Sequence, residues 1–228
     1  VRQFENDLDA IKEQILTMAG LTEKSLDEIA KAVTTGDLEL ARTVIARDDE
    51  IDRCELEIDR LGTEFIVRHQ PLASDLRFVV SAIKIAPGLE RVADNAVNIA
   101  SYLIHLGDDE TISPVEDIPR ILGLARAMVA TAVAAFVTRD SARAREVIQS
   151  DDEVDRLYWQ LFDDLMEQTR EQPAMVRQLV TQILVARFAE RIGDQAENIA
   201  EEIIYLVEGE PVRHADPFAD QPPEHGRE

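Results

Sequence analysis

A short acidic string occurs twice in this chain, once in each half. DDEIDR at 48–53 returns as DDEVDR at 151–156, 103 residues later. ERVADNAVNIA at 90–100 returns as ERIGDQAENIA at 190–200, with seven of eleven positions identical. Gln70-Pro71 returns as Gln172-Pro173. Three matches in the same order mean that the fold must be built twice from one unit of about 100 residues.

That unit is helical. Prolines are absent from 1–70, 120–172 and 174–210, aromatics are only 5% of the chain, and no short alternating strand segments occur. The pattern predicts six long helices at about 4–34, 38–69, 72–106, 115–138, 141–171 and 173–208. Gly36-Asp37 and Arg139-Asp140 break each first pair, and Gln70-Pro71 and Gln172-Pro173 each second, because the residue before proline leaves the helical region. Pro119 falls within the first turn of its helix. The apolar stripes Val44, Ile51, Cys54, Ile58, Leu61, Phe65 and Ile85, Leu89, Val92, Ala96, Ile99, Leu103 alternate in steps of three and four, with rare gaps of seven. The second stripe recurs as Val185, Ile192, Ala196, Ile199, Ile203 and Leu206. Three such stripes close around one core. The expected fold is all-α: two tandem three-helix bundles, 1–108 and 109–208, joined near 107–114. Residues 209–228, with four prolines and no periodicity, read as a flexible tail whose His214 and His225 are solvated.

Charge narrows the function. With 46 acidic side chains against 24 Lys and Arg, the net charge of −22 repels phosphate backbones and excludes nonspecific nucleic-acid or anionic-membrane binding as a first reading. The lone Cys54 forms no internal disulfide, lies on a core stripe and fits a reducing compartment. No apolar run is expected to be long enough to cross a bilayer, and the N-terminal VRQFENDLDAIKEQ lacks a signal-peptide core. These features describe a soluble, intracellular protein.

Residues four apart share one face of a helix. Asp48 and Asp52, Glu90 and Asp94, Asp151 and Asp155, and Glu190 and Asp194 are four such like-charged pairs. Each destabilises an isolated helix by roughly 0.2–0.5 kcal/mol, so four in matching places call for positive charge, from Lys and Arg or from a metal ion held by hard oxygen donors. Arg53 and Arg156, Arg91 and Arg191, and Asn98 and Asn198 recur with them, while Glu197 and Glu201 extend the second patch. At about 100° per residue, Glu90 and Asp94 point away from the core stripe of their helix, and Asp48 and Asp52 lie on a flank facing the next one. This geometry suggests sites on the bundle surface, between two helices. Metal binding, ordinary ion-paired surface acids and, more weakly, catalysis all fit it. A ferritin-like centre does not, since no histidine is preceded at three residues by glutamate. Phosphate-binding loops, HExxH and GxSxG are absent.

The same residues carry a family resemblance. The duplicated Asp48-x-x-x-Asp52 with Glu90-x-x-x-Asp94, and Asp151-x-x-x-Asp155 with Glu190-x-x-x-Asp194, together with QPLASDLR at 70–77, SAIKI at 81–85 and ERVADNAVNIA, resemble the PhoU family of phosphate-transport accessory proteins over about 5–208. The resemblance implies two homologous three-helix bundles related by an approximate twofold. It implies metal sites at the two acidic quartets, with iron, zinc, manganese or magnesium as the ion. It also implies a cytoplasmic regulatory adaptor, often a homodimer, that contacts the phosphate ABC transporter and a sensor histidine kinase and represses the phosphate-starvation response. Such a protein reaches the membrane only through its partners and does not bind nucleic acid directly. Two other readings stay open: a metal-free helical adaptor docking a basic partner, and a metal-dependent phosphohydrolase. The chain departs from the family at Pro87-Gly88, where a kink or short interruption is expected just before Glu90. It departs again after Pro173, where AMVRQ replaces LASDLR.

Overall fold

The computed structural model describes residues 2–107 and 117–212. The expected connection near 107–114 and the expected tail with His214 and His225 lie almost wholly outside those residues. Six long helices occur: α1 (Arg2–Thr35), α2 (Leu38–His69), α3 (Ala73–Leu106), α4 (Asp117–Thr138), α5 (Ser141–Glu171) and α6 (Val176–Glu208). A single 3₁₀ turn, Pro173–Met175, precedes α6, so the sixth helix starts later than its proline suggested.

The breaks between helices repeat like the sequence. Gly36 takes a left-handed φ of 71°, and Asp37 then caps α2 by accepting hydrogen bonds from the backbone N–H groups of Glu39 and Leu40. In the second half Arg139 takes the left-handed position at φ 52°, and Asp140 caps α5 through the N–H of Arg143. Gln70 ends α2 in the left-handed region just before Pro71.

α1, α2 and α3 pack together, as do α4, α5 and α6, giving the expected two three-helix bundles. α3 and α6 also pack extensively against each other, so the two apolar interiors form one continuous core. Every residue of the α3 and α6 stripes is buried, and on α2 Leu61 is the only one half-buried. Cys54 is buried, and desolvation pushes its thiol up, as befits a small core side chain.

Two expectations are corrected. α3 runs unbroken through Pro87, with no interruption before Glu90. Close approach of the two central helices occurs here: a Cβ on Gly88 would lie 2.8 Å from Cγ1 of Ile199. α4 does contain an apolar stretch long enough to cross a membrane by length and composition, contrary to the sequence reading. Its Ile118, Ile121, Leu122, Ala125, Met128 and Val129 lie in the core. Arg120 and Arg126 tie its other faces to Glu153 and Asp27, so α4 belongs to the bundle.

Candidate metal centre

Each half brings its four acids to one helix–helix seam. Asp48 and Asp52 come from α2 and Glu90 and Asp94 from α3; Asp151 and Asp155 come from α5 and Glu190 and Asp194 from α6. The i,i+4 spacing keeps each pair on one face, and α2 packs on α3 as α5 does on α6.

The first cluster lies at the surface, as the helical angles suggested. Asp48 and Glu90 are half-buried, and Asp52 and Asp94 are exposed. Burial first, then the negative charges of Asp52 and Asp94, pushes the Asp48 carboxyl above its usual range. Burial followed by Asp94 and Asp52 does the same to Glu90, and burial with Asp52 to Asp94. The four charges therefore feel one another across the seam.

The second cluster is sunk deeper, with Asp151 and Glu190 buried and Asp155 and Asp194 half-buried, which corrects the surface reading. Asp151 is 9% and Glu190 5% exposed. One carboxylate oxygen from each of Asp151, Asp155 and Asp194 lies within 4.8 Å of the others. Oδ1 of Asp151, Oδ1 of Asp155 and Oε2 of Glu190 are enclosed and accept no hydrogen bond. Burial, reinforced by Glu197, Asp155, Asp194 and Glu190, pushes Asp151 up to about 7. Burial and the neighbouring Asp194 push Glu190 up to about 7, even though Arg187 opposes the shift. Asp155 and Asp194 are raised too, chiefly by burial.

Three residues that shape this cluster escaped the sequence reading. Gly193 lets α5 approach, since a Cβ there would stand 3.0 Å from Oδ1 of Asp151. Arg187 donates from Nη1 to Oε1 of Glu190. Tyr158 places its ring 5.5 Å beneath the Arg187 guanidinium. Reading the two repeats position by position exposes all three, because the first half has Ala93, Pro87 and Glu55 there.

Buried carboxylate oxygens are ordinarily hydrogen-bonded or ion-paired. The converging carboxylates of Asp151, Asp155 and Asp194, two of which carry an enclosed, unpartnered oxygen, come from two helices with no sulfur or imidazole donor among them and fit a hard cation such as manganese, magnesium or iron. His69, the histidine of α2, is engaged elsewhere, 2.8 Å from Asp7 on α1.

The whole chain has close relatives. The PhoU domain model matches residues 15–103 and again 118–203, one copy per repeat. A phosphate-specific transport system accessory protein PhoU homolog of Aquifex aeolicus is 39% identical over 208 residues, covering 91% of this chain and 94% of that protein. A Clostridium acetobutylicum homolog of the same description is 33% identical, covering 92% and 96%. The crystal structure of PhoU from Pseudomonas aeruginosa superposes with a TM-score of 0.87 at 35% identity, covering 91% of this chain and all of that one. The phosphate transport system regulatory protein PhoU from Streptococcus pneumoniae shares the fold, with a TM-score of 0.85 at 24% identity and 92% of this chain covered. With both repeats matched and the relatives aligned nearly end to end, the chain belongs to the PhoU family, whose members regulate phosphate homeostasis rather than catalyse a reaction.

Proposed function

We propose that this chain is a metal-binding regulatory adaptor that represses the phosphate-starvation response and moderates phosphate uptake. It works by contact with the cytoplasmic side of the phosphate ABC transporter and with its sensor histidine kinase. The observation that carries the metal part is the convergence of Asp151, Asp155 and Asp194, with an enclosed, unpartnered oxygen on Asp151 and another on Asp155. Family membership carries the regulatory part.

Each repeat, 1–108 and 109–208, supplies one site. Asp151, Asp155, Glu190 and Asp194 hold a cation between α5 and α6, and Asp48, Asp52, Glu90 and Asp94 hold one between α2 and α3. A bound cation would neutralise like charges that repel across each seam and so clamp the two helices together. Manganese, magnesium or iron suits these all-oxygen donors better than zinc. The net charge of −22 steers the adaptor, as monomer or homodimer, toward basic partner surfaces and away from anionic lipid.

Deleting the gene and complementing it with wild type or with Asp151→Ala/Asp194→Ala tests this reading. Wild type should restore repression of phosphate-starvation genes in phosphate-rich medium, and the double variant should restore it poorly. Normal repression in the deletion strain, with neither membrane partner retained in a pull-down, would overturn it.

A further inference from the structure

The two acidic clusters are not electrostatic copies. At equivalent positions the first has Glu55, Pro87 and Val97 where the second has Tyr158, Arg187 and Glu197. Glu55 and Asp49 act on the first quartet and Glu197 and Asp152 on the second, so each quartet has two further carboxylates acting on it. Arg91 and Arg191 follow Glu90 and Glu190 in both, and Arg53 and Arg156 follow Asp52 and Asp155. What remains is one cation. Only the second cluster has Arg187.

Arg187 is held like a built part of that cluster. Its Nη1 donates to Oε1 of Glu190, a carboxylate that is 5% exposed. Its guanidinium lies over the Tyr158 ring at 5.5 Å, and the first repeat has Glu55 at the position equivalent to Tyr158. Its charge also acts on Asp155 and Asp194, two of the three acids whose oxygens converge. The other Glu190 oxygen, Oε2, is enclosed and unpartnered, as are Oδ1 of Asp151 and Oδ1 of Asp155. The arginine thus satisfies one edge of the cluster and leaves the inner oxygens bare. Its side chain is 45% exposed, so it has a path outward to solvent.

We propose that Arg187 is a tethered counter-cation that competes with a metal ion for the second cluster. The proposal rests on the metal-binding reading given above. In the metal-free protein the guanidinium offsets part of the repulsion among Glu190, Asp155 and Asp194. When a cation enters, that same positive charge lies within a few ångströms of it, in a partly desolvated seam where like charges repel strongly. The second cluster therefore gives up metal affinity for stability without metal. The first cluster, with Pro87 in place of an arginine, makes no such trade.

The test uses the full chain with the first cluster disabled by Glu90→Gln and Asp94→Asn. Manganese(II) is titrated by calorimetry, and thermal unfolding is followed with and without the ion. Arg187→Gln and Arg187→Met, the latter keeping an apolar stem over Tyr158, should each tighten manganese binding tenfold or more. Each should also lower the metal-free melting temperature, so that the shift on adding metal grows. Arg187→Lys, which keeps the charge, should bind manganese close to the parent. Equal or weaker binding in a folded Arg187→Gln or Arg187→Met variant would overturn this proposal alone. No manganese binding in the parent or in any variant would overturn the metal reading and this proposal with it.

Discussion

Gly193 on α6 lies so close to Asp151 on α5 that a Cβ there would stand 3.0 Å from the Asp151 Oδ1. The first repeat has Ala93 at that place, and its Asp48 is only half-buried. One missing methyl group therefore accompanies the difference between a surface cluster and an enclosed one. Gly193→Ala should push the Asp151 carboxylate, the free end of a short side chain, out of the seam. Helix propensity favours alanine by about 1 kcal/mol. The metal-free variant should then melt no lower than wild type while binding manganese at the second site about tenfold more weakly. Calorimetry and thermal unfolding on one sample measure both.

The raised carboxyls set a pH dependence for the metal-free protein. Asp151 and Glu190 titrate near 7 when folded, well above their usual carboxylate range. Between those limits the folded state binds more protons than the unfolded one, so stability falls as pH rises and levels off above the folded values. Chelator-treated protein should melt several degrees higher at pH 5 than at pH 8. Adding manganese at pH 8 should restore the loss, because the ion replaces the protons.

Neutralising one buried acid should have the same effect as acid. Asp151 faces Glu197, Asp155, Asp194 and Glu190, so Asp151→Asn removes repulsion at almost constant volume. At pH 8 it should stabilise the metal-free protein by about 1 kcal/mol or more. Asp152→Asn, at the exposed neighbouring position, should change stability by less than about 0.5 kcal/mol. Urea unfolding in chelator compares the two.

The centre of the fold offers a contrast between two glycines. At Gly88 a Cβ would meet Cγ1 of Ile199 at 2.8 Å, whereas at Gly20, inside α1, nothing lies within 4 Å. Gly88→Ala should destabilise by about 1–3 kcal/mol through overpacking of the α3–α6 contact. Gly20→Ala should stabilise by about 0.5–1 kcal/mol through helix propensity alone. Opposite shifts in the urea midpoint are the expected readout.

Most of the architecture was legible in the sequence because its signals are local. Asp37 and Asp140 cap helices where the sequence places breaks, and Pro71 and Pro173 mark the remaining ends. The seams were legible as well, since i,i+4 acids must share a face. Depth was not. Whether Asp151 is enclosed depends on Gly193 across the seam, and whether Glu190 is paired depends on Arg187 one turn away. Periodicity on one helix carries neither fact. Pro87 misled for a similar reason: the expected interruption is a local penalty, and α3 continues because it is packed against α1, α2 and α6. In α4 composition alone does not separate a membrane span from a bundle helix; the burial of Ile118, Ile121, Leu122 and Ala125 against the other helices does.

The central claim is that the enclosed carboxylates of α5 and α6 hold a metal ion. Elemental analysis of the full chain, purified without added metal and compared with Asp151→Asn/Asp155→Asn, tests it most directly. The account predicts stoichiometric manganese, magnesium or iron in the wild-type protein and a loss of one site's content in the double variant. Wild-type protein that carries no such metal and takes up none on dialysis against manganese would contradict it.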